Sequence, residues 1–178
     1  MSAATITFVP PNDTNGMVVS TNSNDGYGNG RGILFTVDSA TTVDSVGIYQ
    51  DVTEITLSFD LEIYNGAVLA NGGSTESTTG LEWIEYDGFE VNLLPGNTYH
   101  LEFTFAGNSN QNFYYMNQNQ TWSQDGFSTL DGTYNNSDSN SLVAAFRVNA
   151  NAVSDTGSTA ALLGVGVVAL AFARRRLG

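Results

Sequence analysis

The sequence predicts an all-β protein: a two-sheet antiparallel sandwich over residues 1–150, followed by one short C-terminal apolar helix. Three observations predict this. Apolar residues before position 150 recur with a period of two and not with a helical period. Glycine paired with Asn, Asp or Pro punctuates them at short intervals. The last residues then switch to an unbroken apolar run that ends in arginines.

The clearest strand is "ITLSFDLEIY". Ile55, Leu57, Phe59, Leu61 and Ile63 alternate with Thr56, Ser58, Asp60, Glu62 and Tyr64, as in a half-buried strand. Asn65-Gly66 follows, a strong short-range hairpin signal. "TYHLEFTF" repeats the pattern, with Tyr99, Leu101, Phe103 and Phe105 inward. His100, Glu102 and Thr104 then face outward, and His100 is expected to be exposed. Pro95-Gly96 suits a type II turn. Asp87-Gly88, Asp125-Gly126 and Asp131-Gly132 are expected as further turns. Other strands are expected at "TITFV", "GILFTV", "VDSVGIYQ", "LEWIEY", "FEVNLL", "NFYYMN" and "LVAAFRVNA". Small polar residues at 151–158 form a linker, and 159–178 form the apolar span.

Charge is divided unevenly along the chain. Of 18 Asp and Glu residues, only Asp155 follows position 153, whereas three of the five arginines do. The body is therefore strongly acidic within a chain of net charge −13. Such a surface repels a phosphate backbone, which excludes nucleic acid as a partner class. With no cysteine, no lysine and one histidine, thiolate metal sites, Schiff-base chemistry and phosphate-binding lysine loops are absent on inventory. "GYGNGRG" is not a phosphate loop, because its spacing is wrong and a strand follows it; it is expected as a flexible loop. The opening "MSAATITFVPP" lacks the basic start and apolar stretch of a secretory leader.

The tail carries the strongest signal. Residues 160–173 are free of polar side chains and span about 21 Å as a helix, or about 26 Å from Gly157. Snorkelling arginines let so short a run cross a hydrocarbon core of about 30 Å. Arg174, Arg175 and Arg176 are expected to stay cytoplasmic by the positive-inside rule. A short motif, Ser-Thr, an apolar span and terminal arginines come in that order, which resembles the PEP-CTERM class of bacterial sorting signals. The closest likeness is to the variant whose motif reads Val-Pro-Asp-Ser-Gly. Val153, Asp155 and Gly157 match it, with Ser154 in place of proline and Thr156 in place of serine. The resemblance implies an exported protein at the cell envelope or extracellular surface, processed at this motif by an exosortase-type membrane transpeptidase. It also implies association with an extracellular polysaccharide matrix.

The body resembles, more softly, the jelly-roll-type domains of secreted bacterial proteins. The likeness rests on "GILFTVDSATTVDSVGIYQ", "LEIYNGAVLANG", "LLPGNTYHLEFTFAG" and "LVAAFRV". It implies a jelly-roll-like sandwich without naming a ligand. "EYDGFE" also resembles the catalytic strand of laminarinase-type β-glucanases. That likeness implies Glu85 as nucleophile and Glu90 as acid/base, in a bulged strand that also carries Asp87. The plainer reading is a hairpin at Asp87-Gly88 with solvated carboxylates, and on it no residue is catalytic.

Residues 107–140 interleave Tyr114, Tyr115, Trp122, Phe127 and Tyr134 with Asn and Gln. Flat rings stack on sugars and amides pair with hydroxyls, which makes these five the candidate glycan-binding set. The competing reading is that the rings fill the core. "PNDTNG", "NSNDG" and "NNSDSN" are rich in oxygen ligands, so a structural Ca²⁺ is the one metal the composition favours, and no other cofactor is expected. Taken together, the sequence describes a non-enzymatic exported surface protein with glycan contact, the alternative being a small glycan hydrolase using Glu85 and Glu90.

Overall fold

A computed structural model of the chain describes residues 4–8, 17–23, 30–106, 110–116, 123–134, 137–138 and 143–152. Its strands in order are β1 (Ala4–Phe8), β2 (Met17–Ser23), β3 (Gly30–Val37), β4 (Thr41–Asp51), β5 (Ile55–Ile63), β6 (Val68–Glu76), β7 (Glu82–Tyr86) and β8 (Val91–Leu93). They continue with β9 (Tyr99–Ala106), β10 (Asn110–Met116), β11 (Ser123–Gln124), β12 (Phe127–Tyr134), β13 (Ser137–Asp138), β14 (Val143–Ala144) and β15 (Phe146–Ala152). For β2, β10, β13 and β14 the backbone alone is described. No helix occurs among the described residues, and so none long and apolar enough to cross a membrane. The linker from residue 153 and the helix expected at 159–178 lie outside them.

The strands pair antiparallel into two sheets, as the alternation predicts. Sheet A runs β1-β15-β4-β10-β14, with β2 beside β10 and both β7 and β8 beside β4. Sheet B runs β11-β12-β3-β9-β5-β6, with β13 beside β12. The inward rows of both sheets form one core. Ile55, Leu57, Phe59 and Leu61 on β5 meet Leu101, Phe103 and Phe105 on β9, and Phe103 stacks on Phe146 of β15 at 5.7 Å. Tilted and stacked rings at centroid distances of 5.5–5.9 Å link Phe8, Phe35 and Phe127 at the other flank. Offset and tilted aromatic contacts of this kind are the favoured geometry for such rings.

Turn chemistry explains three of the five predicted turns. Asn65 sits at φ 56° in the β5–β6 hairpin, a left-handed conformation that asparagine tolerates. Asp125 and Gly126, at φ 48° and 83°, make the two-residue turn that joins β11 to β12, which suits the strand twist. Gly96, at φ 89°, fits the third position of a type II turn after Pro95. The other two differ. Asp131-Gly132 lies inside β12, where the register against β3 slips between Thr129 and Gly132. Asp87-Gly88 joins β7 to β8, but these strands do not pair with each other; both lie along β4. Both sequences mark interruptions in a ladder rather than reversals of the chain. The glycine-rich stretch also departs from expectation, because Gly30 and Gly32 belong to β3.

Candidate functional site

A depression of about 460 Å³ opens on the outer face of sheet A. Register creates it. On one side of β4, Asn149 faces Ser45 but Ala150 faces Val43, so Asp44 is an extra residue. On the other side Tyr86 faces Val46 and Val91 faces Val43, so residues 87–90 lie against only Asp44 and Ser45. Bulges re-aim side chains and disrupt the ladder locally. Here two interruptions meet at one level, and Asp44, Ser45, Glu85, Asp87, Gly88, Phe89 and Asn149 line the hollow. Gly88, at φ 84°, takes a conformation that favours glycine.

A polar row crosses β4 beside this hollow. Gly47 lies between Glu85 on β7 and Arg147 on β15. A Cβ at position 47 would stand 3.1 Å from the Glu85 Cγ and 3.2 Å from the Arg147 Cγ, so glycine gives both side chains room over the strand. Arg147 Nε and Glu85 Oε1 form an ion pair at 2.5 Å, and the guanidinium lies 4.4 Å above the Trp83 ring. Trp83 in turn contacts Tyr49 at 5.2 Å. Asn151 Nδ2 donates to Asp44 at 3.3 Å, and Thr5 donates to Asn149 Oδ1 at 2.7 Å. The hollow offers carboxylates, the Asn149 amide and the Phe89 ring to a polyhydroxylated ligand. Glu85 and Asp87 are brought together as the sequence suggested; Glu90 is exposed and does not line the hollow.

Sheet B holds a second polar cluster. His100 is 1% exposed, not on open surface as alternation implied. It does lie on the face opposite the core, but β9 is flanked by β3 and β5, whose side chains enclose it. Its Nδ1 is 3.0 Å from Glu62 Oε1, and its Nε2 is 2.6 Å from Thr133 Oγ1 and 3.3 Å from Glu102 Oε2. A Cβ on Gly32 would fall 2.2 Å from Thr133 Oγ1 and 2.7 Å from His100 Nε2, so the cluster needs a glycine beneath it.

Carboxylate, imidazole and hydroxyl in series have the order of a nucleophilic triad. Thr133, however, is 2% exposed and does not line the adjoining cavity of about 190 Å³, which Asp60, Glu62, His100, Glu102 and Thr104 surround. The hydroxyl thus serves as a buried hydrogen-bond partner of the imidazole. Among the described residues no three His, Asp or Glu side chains are grouped to hold a metal ion. The side chains of the three oxygen-rich segments considered for Ca²⁺ lie outside the described residues.

Of the five candidate glycan-binding aromatics, Phe127 is 2% exposed and packs on Phe8 and Phe35. It is a core residue, because Phe127 starts β12 at the register position facing Val37 and points between the sheets. Tyr114 and Tyr115 lie in β10 opposite Val19 and Val18. Their side chains, that of Tyr134 and the whole of Trp122 lie outside the described residues, as do Val153, Ser154, Asp155, Thr156, Gly157 and Arg174–176. Among the described residues, Trp83 and Tyr49 form a partly exposed aromatic pair. Its signal was the outward position of Trp83 next to Ile84 in "LEWIEY".

Among known proteins, residues 152–177 match the VPDSG-CTERM motif, a sorting signal of PEP-CTERM type. The match begins at the last residue of β15. It suggests an exported protein of the cell envelope, handled by a membrane sorting enzyme. No curated protein matches the chain.

Proposed function

We propose that this chain is an exported surface protein whose β-sandwich is displayed outside the cell and whose C-terminal segment is spent in delivering it. The observation that carries the reading is the sorting-motif match at residues 152–177, beginning where the last strand ends. Before processing, residues 159–178 cross the inner membrane as a helix, with Arg174, Arg175 and Arg176 on the cytoplasmic side. An exosortase-type transpeptidase then acts at residues 153–157. The displayed body is a jelly-roll-like, non-enzymatic domain that contacts extracellular polysaccharide.

The hollow on sheet A, lined in part by Phe89, favours that face for the glycan. Aromatic surface next to hydrogen-bonding amides and carboxylates is what a sugar ring requires. Two features support binding over hydrolysis. Glu85 is engaged by Arg147, and Glu90 does not share the hollow, whereas two-carboxylate hydrolysis needs both acids across one bond.

The test is the intact mass of the protein recovered from the outside of its native host, compared with a chain truncated after Ala152. The expected product lacks the residues after the 153–157 region, and the truncated chain is not retained at the surface. A full-length chain held in the inner membrane would sink the proposal.

A further inference from the structure

β6 pairs with β5 along one side and, among the described residues, with nothing along the other. It is a nine-residue open edge of sheet B. Edge strands present unpaired N–H and C=O groups, and proteins usually blunt them with lysine, proline, bulges or a covering element. Among the described residues, 70–76 carry none of these. They contain no proline, lysine or arginine, and they run in unbroken register against residues 55–61. The bulge in this ladder comes earlier, at Leu69. The one charged group, Glu76, is turned away from the edge, accepting from Tyr86 at 3.2 Å and from Ser74. On the outer face Asn71, Gly73 and Thr75 are exposed and uncharged.

We propose that β6 pairs antiparallel with β6 of a second copy, about a two-fold axis at Gly73, joining two B sheets into one. Charge selects this occupant. A chain of net charge −13 repels its copies over most of its surface, and residues 68–75 of β6 are an uncharged strip on it. Symmetry supports the same register. Antiparallel pairing about Gly73 sets Ala70 opposite Glu76 of the second copy, Asn71 opposite Thr75 and Gly72 opposite Ser74. The two Glu76 residues then lie at opposite ends, about 20 Å apart, so the contact contains no like-charge pair. Two-fold contacts of one patch with itself are the commonest form of assembly. Gly72 and Gly73 leave the middle of the edge without side chains. A Cβ at Gly73 would stand 2.7 Å from the Leu57 carbonyl oxygen, so β6 lies closely against β5 there.

The test uses two differently tagged full-length chains in nonionic detergent, one carrying N71K and T75K, the other N71E and T75E. The unsubstituted chains are expected to co-purify, and more strongly as added salt screens their charge. Each variant should bind its own kind about tenfold more weakly, because the antiparallel register puts like charges opposite each other twice. Mixing the two variants should restore association. Association that survives in every combination would place the contact elsewhere and overturn the proposal, as would no association at all. Homotypic loss without recovery on mixing would overturn the register. On the unsubstituted chain, β6 amide exchange should slow as protein concentration rises, a readout independent of the variants' folding; a concentration-independent rate would equally refute pairing.

Discussion

The hydroxyl of Tyr86, on β7 of sheet A, lies 3.2 Å from the Glu76 carboxylate, on β6 of sheet B. The same hydroxyl is 3.2 Å from the Leu57 carbonyl and 3.3 Å from the Ser74 hydroxyl. One phenol therefore bridges the two sheets at the margin where both end. Burial pushes its pKa from 10.0 up to about 12, helped by the nearby Glu76 charge. A phenol held protonated in the fold binds more protons folded than unfolded between those two values. Stability is thus expected to be full below about pH 10 and to fall as pH rises towards about 12. Denaturant titrations across this range should show the fall, and Y86F should make it shallower. At neutral pH, Y86F should cost about 1 kcal/mol, the loss of one net hydrogen bond. An unchanged alkaline profile in Y86F would assign the fall to other groups.

G32A is expected to be strongly destabilising, although alanine is the smallest change available. The added carbon would meet Thr133 Oγ1 at 2.2 Å and the backbone oxygen of Leu101 at 2.9 Å. Overpacking of this kind costs about 1–3 kcal/mol. Chemical denaturation measures it, and a G32A protein of normal midpoint would show that the strands can part without penalty.

T133V tests the buried imidazole. It keeps the shape and removes the hydroxyl 2.6 Å from His100 Nε2, so a loss of about 1–3 kcal/mol is expected from an unsatisfied buried group. H100A should cost at least as much, since it leaves Glu102, 7% exposed, without its imidazole neighbour.

F127A separates core from surface. Removing a buried phenylalanine ring costs about 3–5 kcal/mol, read as a lowered melting temperature. At temperatures where F127A remains folded, polysaccharide binding should match that of the unsubstituted protein. Loss of binding in a folded F127A protein would return that ring to the ligand site.

The pair of Arg147 and Glu85 behaves differently. Glu85 is 40% exposed, so R147A should cost under about 1 kcal/mol. It also uncovers the Trp83 ring, so tryptophan fluorescence should shift while the melting temperature barely moves. Affinity electrophoresis in polysaccharide gels then reports whether the uncovered ring changes glycan contact. A large drop in melting temperature would make the pair a structural clamp.

The sandwich was legible where information is local. Ile55 to Ile63 and Tyr99 to Phe105 show the inward rows directly, because a strand's period of two is written in consecutive residues. Asp125-Gly126 shows its turn for the same reason. Asp87-Gly88 and Asp131-Gly132 look alike in sequence yet serve as interruptions, because glycine's backbone freedom suits bulges and turns equally. Which of the two results depends on what lies alongside. The sites were less legible. Glu85 and Asp87 stood out as an acidic pair, but Asp44 and Asn149 join them only through the registers of β4 and β15. The enclosure of His100 depends on Glu62 and Thr133, 38 and 33 residues away. Alternation gave its face but not what covers that face.

The sorting segment leaves the sandwich from β15, and β15 is an inner strand, flanked by β1 and β4. Any pull applied beyond Ala152 enters sheet A along this strand, which runs antiparallel to both neighbours. A force in that direction must slide β15 past two strands together, straining both rows of hydrogen bonds in parallel instead of peeling them one by one. A load entering through this segment is therefore met as shear, by two seams at once.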